Sequence, residues 1–346
     1  MPQGVTVPGG VPSPRGIVVR LPNWLGDTVM AVPALRALRA TFPDDRLTLA
    51  GPWAPLLAGQ GLADVLVDYP RSWSGRLRTA DRVRELRAGV AVLLPNSLET
   101  ALTARYWRAR RRVGFASDGR SWLLTDRVPL PAPRRHQVDE YLVLVAALGV
   151  TPLSREPRLV PPPVDGPERA EARRHLGEAG VDARAPRPIV GVHLGAEYGA
   201  AKRWPVERVI DFCRTVTASG GTAVLLGPPG DSTLAERVVA ATATPSLVGR
   251  DRPQSLTAVL VEIDALVSGD TGVAHLAAAL GTPVVTLFGP TDPALSAPRG
   301  PAAALCHPVP CAPCFYRECP IEHPCMRGIG AHEVHERVRA LLARSA

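Results

Sequence analysis

A short polar segment at residues 20–28 (RLPNWLGDT) holds the first residues of this chain that could do chemistry. It stands where a predicted buried strand gives way to a helix, and ligands of open α/β sheets bind at that carboxyl edge. Gly26 lets another molecule come close to the backbone. Asp27 could cap the helix or act as a base that projects into a cleft. The segment lacks the G-x-G-x-x-G pattern, which counts against a dinucleotide oxidoreductase.

Two later segments suit a ligand that carries phosphate. In residues 193–205, Lys202 follows a loop of small residues and precedes a helix, so its ammonium could meet a diphosphate. In residues 268–275, backbone amides at the start of a helix form an anion cradle. Asp270 could accept hydrogen bonds from sugar hydroxyls, and His275 lies one turn further on as an extra donor. The structural alternatives are a solvated loop lysine and a capped helix with a packed histidine.

The composition points to the same segments. Lys202 is the only lysine among 40 basic residues, and asparagine occurs only at positions 23 and 96. Because a planar guanidinium does not replace a compact ammonium at a crowded phosphate site, a lone lysine there favours function over chance. The net charge of +8 suits an acidic partner such as phosphate, nucleic acid or anionic lipid, or is simply a solvated arginine-rich surface.

The order of apolar runs and amphipathic stretches predicts an α/β protein of the GT-B kind, with two Rossmann-like, doubly wound domains that face each other across a cleft. The 346 residues suit two domains, and a proline-rich stretch at residues 151–167 predicts the linker. We expect a disordered tail at 1–15, an N-terminal domain at 16–158, a C-terminal domain at 159–331 and a terminal helix at 332–346. No apolar run reaches the ~20 residues of a membrane span, so we expect a cytoplasmic protein.

The periodicity predicts individual elements in both halves. Strands are expected at residues 17–21, 47–50, 65–68, 90–94, 112–115, 189–194, 222–226, 247–248, 265–268 and 284–288. Helices are expected at residues 28–41, 76–88, 97–107, 138–148, 206–217, 232–241, 256–263, 272–280 and 332–344.

Several of these motifs, in this order and spacing, resemble glycosyltransferase family nine, the ADP-heptose heptosyltransferases. The resemblance covers residues 16–335 and is carried by residues 22–27, 31–35, 202–205, 270–275 and 287–291. The Asn23-Trp24 pair and the CAPC stretch at residues 311–314 are most similar to the heptosyltransferase II branch, which acts in the lipopolysaccharide inner core.

The resemblance implies an inverting, metal-independent glycosyltransferase that moves heptose from ADP-heptose, without a cofactor, to an acidic lipid-linked core oligosaccharide. The resemblance implies that Asp27 is the general base and that Lys202 stabilises the departing diphosphate. Asp270 holds the donor sugar. The other donor-side residues are Thr271, Gly272, His275, Gly195 and Gly289.

The acceptor side is assigned to the N-terminal half. The resemblance places Asn23, Trp24 and Gly26 there, and Asn96 follows a strand that ends on the same edge as Asp27. The expected partners are the ADP-sugar and a phosphorylated lipid-linked acceptor, with peripheral contact at the inner leaflet of the inner membrane and no nucleic acid.

Two groups of residues fall outside this scheme. Cys311, Cys314, Cys319, Cys325 and His323 have the spacing of metal ligands, and structural thiols or a disulfide-prone loop are the favoured alternative. The resemblance calls for no catalytic metal.

The second group is basic. The arginines at residues 105–112 and at positions 134 and 135 could hold a phosphorylated lipid acceptor or form a solvated face, and the solvated face is favoured for Arg134 and Arg135.

Two other functions compete. A sugar-nucleotide epimerase of the same architecture would convert the nucleotide sugar without an acceptor. A basic nucleic-acid-binding protein would need aromatic platforms or a recognition helix on its basic face, yet only 5% of residues are aromatic.

Overall fold

The computed structural model describes residues 16–70, 72–182, 184–250 and 253–345. The predicted disordered tail at residues 1–15 lies outside them. The chain divides into two compact units. Unit 1 runs to Asn23 and includes Ala34–Pro131 and Tyr141–Thr151, whereas unit 2 comprises Trp24–Pro33, Ala132–Glu140 and the chain from Pro152 onward.

Unit 1 is built on a six-stranded parallel sheet with the order β3-β2-β1-β4-β5-β6. Its central strands are buried because they are continuous runs of aliphatic residues, as expected for a parallel sheet covered on both faces. The strands are β1 Ile17–Arg20, β2 Leu47–Gly51, β3 Val65–Asp68, β4 Val90–Leu93, β5 Arg111–Phe115 and β6 Asp126–Val128. The helices of this half of the chain are α1 Leu25–Met30, α2 Val32–Thr41, α3 Trp73–Glu85, α4 Leu98–Tyr106 and α5 Gln137–Ala146.

Unit 2 is built on a five-stranded parallel sheet with the order β11-β10-β9-β7-β8. Its strands are β7 Ile189–His193, β8 Thr222–Leu226, β9 Ala265–Gly269, β10 Val284–Phe288 and β11 Ala302–Cys306. Its helices are α6 Pro167–Glu178, α7 Val206–Ala218, α8 Ser232–Thr242, α9 Pro253–Glu262, α10 Gly272–Leu280, α11 Pro293–Ser296, α12 Pro324–Arg327 and α13 Ala331–Ser345. The core between sheet and helices includes the edge-to-face pair of Trp204 and Phe212, whose ring centroids are 5.9 Å apart.

The predicted fold class is confirmed: each half of the chain folds as a parallel α/β sheet with helices. The predicted bounds of α10 and β10 are also those observed. The stretch at residues 152–166 contains no helix or strand, and the amide of Leu159 bonds to the carbonyl of Ala279 in unit 2. The domain boundaries expected from the sequence stay a prediction.

The prediction of one continuous helix at residues 28–41 is wrong, because this part of the chain forms two helices. Helix α1 begins at Leu25 and ends at Met30, and α2 begins at Val32. Pro33 has no amide hydrogen to donate to the carbonyl four residues earlier, so a continuous helix would lack that bond.

Other differences concern short or polar elements, among them the short helices α11 and α12, which the sequence did not predict. The strand expected at residues 247–248 is reduced to an isolated bridge between Leu225 and Ser246. The strands β6 and β11 lie at sheet edges, and α6 is strongly polar, so hydrophobic periodicity does not predict any of the three.

No helix in the described residues has both the length and the apolar composition needed to cross a membrane.

The carboxyl edge of the unit 1 sheet is held by Arg120, whose side chain is fully buried. Its guanidinium donates to the carbonyls of Pro95 (2.5 Å) and Phe115 (3.2 Å), to the hydroxyl of Thr100 (3.0 Å) and to Oδ1 of Asn96 (3.1 Å). Burial lowers the pKa of Arg120 to about 10, which leaves it charged at neutral pH. Arg120 therefore ties the loop after β4 to the end of β5.

We expect Arg120→Ala to reduce the free energy of unfolding by about 3 kcal/mol, because it leaves buried acceptors without a donor and opens a cavity. Urea unfolding followed by circular dichroism would measure the change. The matched control is Arg127→Ala, which removes an exposed arginine of the same unit and should change the free energy by less than about 0.5 kcal/mol. Equal effects of the two substitutions would contradict the structural role of Arg120.

Candidate active site

A cavity of about 410 Å³ opens in unit 2 at the carboxyl ends of β7, β9 and β10, three neighbouring strands of the sheet. This is the edge at which open α/β sheets bind ligands. Helix α1 and the segment before α5 close its other side. The lining residues are Trp24, Gly26, Asp27, Met30, Arg134, Gln137, Ala196, Glu197, Tyr198, Lys202, Asp270, Thr271, Gly272, His275, Thr291, Asp292, Leu295, Ser296 and Phe315.

A buried ion pair lies in the wall of the cavity. Lys202 ends the short 3-10 helix Ala200–Lys202, and its Nζ is 2.5 Å from Oδ2 of Asp270, directly after β9. Thr291 donates to the same oxygen at 2.7 Å, and the Lys202 ammonium lies 4.6 Å from the centroid of the Tyr198 ring. A buried pair with additional hydrogen bonds has a defined geometry, so the only ammonium side chain of this protein is held in one position.

Helix α1 crosses the start of α10 at two glycines. A Cβ on Gly26 would lie 2.8 Å from Cδ2 of His275, and a Cβ on Gly272 would lie 2.9 Å from the Gly26 nitrogen and 2.6 Å from Cβ of Leu25. Two helices can come this close only where neither has a side chain. The contact brings the carboxylate of Asp27 to the wall that carries Lys202 and Asp270.

The helix-cap interpretation of Asp27 is wrong. The N-cap of α1 is Trp24, so Asp27 is the third residue of the helix and lies inside its first turn. Its carboxylate lines the cavity. Burial raises the pKa of Asp27 to about 6, the negative charge of Asp270 raises it as well, and the Lys202 ammonium opposes both. A carboxylate with this pKa is ionised at neutral pH and is a stronger base than an exposed aspartate.

His275 lies in the first turn of α10 and is uncharged at neutral pH. Burial lowers its pKa to about 4, and only Asp270 acts in the opposite direction. The N-cap of the helix is Thr271, whose hydroxyl is 2.9 Å from that of Ser268. The first amides of a helix have no partner within the helix and carry a partial positive charge, so this end of α10 presents hydrogen-bond donors to an anion in the cavity.

Comparison with known proteins identifies the family of this chain. The model of glycosyltransferase family 9 (heptosyltransferase) matches residues 76–324, well over half of the chain. The chain belongs to this family. It is therefore a glycosyltransferase, and the match to a family of transferases does not support the epimerase or nucleic-acid alternatives.

Individual relatives agree with the family match. This glycosyltransferase is 28% identical over 305 residues to lipopolysaccharide heptosyltransferase 2 of Salmonella typhimurium, covering 82% of this chain and 85% of the relative. It is 28% identical over 299 residues to the Escherichia coli enzyme of the same name, with the same coverage.

Two solved structures show the same fold. That of E. coli ADP-heptose lipopolysaccharide heptosyltransferase II superposes with a TM-score of 0.78 at 25% identity, covering 95% of this chain and 99% of that one. A family 9 glycosyltransferase from Veillonella parvula superposes with a TM-score of 0.81 at 21% identity, covering 95% and 97%.

Eight of the site residues expected from the sequence line the cavity. They are Trp24, Gly26, Asp27, Lys202, Asp270, Thr271, Gly272 and His275. Three of the eight, Trp24, Gly26 and Asp27, lie on the segment Trp24–Pro33, which belongs to unit 2 together with the donor-side residues.

The other four expected residues lie elsewhere. Asn23 and Asn96 belong to unit 1. Asn23 accepts a hydrogen bond from Arg20 at 2.8 Å, and Asn96 accepts one from Arg120 at 3.1 Å. Gly195 packs against Asp231, and Gly289 packs against the sulfur of Met326. Close packing explains why both positions lack a side chain, and a ligand-binding role for these four residues stays a prediction.

Several cavity residues went unrecognised in the sequence. For Arg134 a solvated face was favoured over contact with the acceptor, but it lines the cavity while its guanidinium donates to both carboxylate oxygens of Glu140 at 2.7 and 2.8 Å. Gln137 and Phe315 line it as well. Arg134 and Phe315 lie in connections between elements and Gln137 is the first residue of α5, so no periodic signal marks these positions. Thr291 stood within the motif at residues 287–291, and Ala196, Glu197 and Tyr198 stood within the segment at residues 193–205.

The cysteine-rich segment lies outside the cavity apart from Phe315. All six cysteines are free thiols, and the described residues contain no group of three or more potential ligands placed to hold a metal ion. Burial raises the pKa of the Cys325 thiol, and the neighbouring thiols of Cys319, Cys311 and Cys314 raise it further. The amide of His323 donates to the sulfur of Cys319 at 3.2 Å.

We expect Asp27 to titrate near pH 6 in carbon-detected NMR of the aspartate carboxyls, with its signal identified by loss in Asp27→Asn. Asp270→Asn should lower the pKa of Asp27, because it removes a negative neighbour. Lys202→Met should raise it, because it removes a positive one. Asp64 is the internal control, since the Leu47 amide and Arg39 hold its pKa below the ordinary value in unit 1. Shifts of Asp27 in the same direction in both variants would contradict this arrangement.

Proposed function

We propose that this glycosyltransferase moves heptose from ADP-heptose to a hydroxyl of a phosphorylated, lipid-linked inner-core oligosaccharide of lipopolysaccharide, with inversion at the anomeric carbon. The family match and the heptosyltransferase relatives support the donor and the acceptor class. The single observation that carries the mechanism is that one cavity joins a carboxylate base, a buried ammonium and the amino end of α10.

Asp27 acts as the base in this proposal. The acceptor hydroxyl attacks the anomeric carbon of the donor, its proton passes to the Asp27 carboxylate, and the bond from the anomeric carbon to the diphosphate oxygen breaks. The electron pair of that bond leaves with ADP. A pKa near 6 suits the step, since the group is mostly ionised at neutral pH and still accepts a proton readily.

The negative charge that builds on the departing diphosphate is met by fixed donors. Lys202 supplies a positive charge whose position is set by Asp270, and the first amides of α10 supply hydrogen bonds. Neutral His275 adds a ring N–H without competing for the charge. Donors held in place before the reaction stabilise the transition state without reorganisation.

The acceptor side of the cavity carries Trp24, Arg134 and Gln137. An aromatic face and an arginine suit a phosphorylated sugar, because sugars stack on aromatic rings and the guanidinium fork matches phosphate. Asn23 and Asn96 remain proposed acceptor residues on unit 1. A lipid-linked acceptor also implies that the protein works at a membrane surface.

We expect Asp27→Asn to lower kcat by ~10²-fold or more while the dissociation constant for ADP-heptose changes by less than about threefold, because the amide cannot accept the proton. The assay follows transfer to lipopolysaccharide truncated before the second heptose, by mass spectrometry, with ADP release as a second readout. Asp211→Asn, an exposed aspartate on α7, is the matched control.

Two outcomes would contradict the proposal. If Asp27→Asn retains full kcat, Asp27 is not the base. If the wild-type protein makes no heptosylated product but transfers sugar from ADP-glucose or UDP-glucose, the proposed donor is wrong while the transferase assignment stands.

A further inference from the structure

Two rows of apolar side chains run side by side on the outside of unit 1. On α3, Trp73 and Leu77 share a face with Asp81, four residues apart in each case. On α4, Leu98 and Leu102 share a face with Tyr106 at the same spacing. The Tyr106 hydroxyl donates to Asp81, so the two faces border each other.

A second contact fixes the two helices along their length. Arg76 of α3 pairs with Glu99 of α4 at 3.3 Å, and the guanidinium of Arg84 lies 4.9 Å from the centroid of the Tyr106 ring. The helices therefore run in the same direction, with Trp73 and Leu98 near their amino ends. Those ends lie at the carboxyl edge of the sheet, where β1 leads to Asn23.

The two rows are exposed to solvent. The exposed fractions are 68% for Trp73, 54% for Leu77, 43% for Leu98, 47% for Leu102 and 45% for Tyr106. Trp122, in the short helix Ser121–Leu123 that packs against α4, is 67% exposed. Large apolar side chains grouped on a surface in this way mark an interaction site. We name the surface formed by α3, α4 and Trp122 the α3–α4 face.

The part of the chain that forms this face carries most of the net positive charge. Residues 73–112 contain ten arginines and only three carboxylates, a formal charge of +7 where the whole chain has +8. The carboxylates are Asp81, Glu85 and Glu99, and two of them are already engaged with Tyr106 and Arg76.

An arginine-lined cavity of about 1,210 Å³ lies where α3 and α4 end. Its lining includes Arg84, Arg87, Arg108 and Arg110, together with Asp81, Glu85 and Trp107. Trp107 is 2% exposed, and its indole N–H has no hydrogen-bond partner among the described residues. The cavity therefore offers guanidinium groups, which suit a phosphate group.

We propose that the α3–α4 face docks on an anionic phospholipid bilayer. Tryptophan, tyrosine and leucine beside arginine are the side chains that bind a membrane–water interface. The apolar groups enter the boundary between headgroups and acyl chains, and the cations bind lipid phosphates. A second copy of this chain is a poor occupant, because exposed arginines of α3 such as Arg78 and Arg82 would repel those of the other copy. The inference rests on the proposed function in one respect: a lipid-linked acceptor resides in a bilayer.

The test is flotation of the full chain with vesicles of phosphatidylcholine alone, or with one third phosphatidylglycerol, at low and high salt. The wild-type protein should bind the anionic vesicles at least ~10-fold more tightly than the neutral ones, and high salt should weaken this binding.

Two pairs of variants divide the apolar and charged contributions. Leu77→Ser with Leu102→Ser, and separately Arg78→Glu with Arg82→Glu, should each weaken binding to anionic vesicles by ~10-fold or more. The matched controls are Leu153→Ser with Ile321→Ser, which are more exposed than the tested leucines, and Arg214→Glu with Arg337→Glu on α7 and α13. Both controls should bind like the wild-type protein.

The proposal is overturned if the tested variants bind anionic vesicles as the wild-type protein does, or if the controls lose as much affinity. It is also overturned if light scattering shows an oligomer that the leucine variant dissolves, since the face would then join copies of the chain. Vesicle binding requires no turnover, so absence of heptosyl transfer would refute the proposed function and leave this result standing. With a soluble acceptor freed of its lipid, all variants should turn over at the wild-type rate.

Discussion

The close approach of α1 to α10 is the contact on which the cavity depends. Gly26 and Gly272 face each other at a distance that admits no Cβ on either helix. A side chain at either position would push α1 outward, and Asp27 would leave the wall that carries Lys202 and Asp270. A pair of glycines thus sets the position of a carboxylate that lies far from the other polar residues in sequence.

Once these groups are together, burial sets their charge states. Asp27 acquires a raised pKa, and His275 stays neutral because its environment disfavours the cation. Lys202 and Asp270 satisfy each other, with Thr291 as an additional donor. The cavity therefore holds a carboxylate base, the fixed ammonium of Lys202 and uncharged hydrogen-bond donors, which is the combination that transfer from a nucleotide-sugar requires.

The sequence predicted the parallel α/β class and most helices and strands, because buried strands and amphipathic helices have a strong periodic signal. It also predicted the polar residues at strand ends, since these follow from where parallel strands stop. It did not predict that α1 packs on α10, because that contact joins Gly26 and Gly272. These residues have no side chain whose hydrophobicity or charge could indicate a contact. The place of Arg134 and Gln137 in the cavity was missed for a similar reason: Arg134 lies just before α5 and Gln137 begins it, and the path of this segment depends on tertiary packing.

The measurement that tests this account most directly is the turnover of Gly272→Ala beside Gly177→Ala. Gly177 lies in the helix α6, and a Cβ there would meet no atom within 4 Å, so the control adds the same methyl group without displacing anything. The account predicts that Gly272→Ala remains folded but loses kcat by at least ~10-fold, since a displacement of about 1 Å at a reacting group is costly, while Gly177→Ala keeps the wild-type kcat. Equal and undiminished turnover of the two variants would show that the contact between α1 and α10 does not position the catalytic carboxylate.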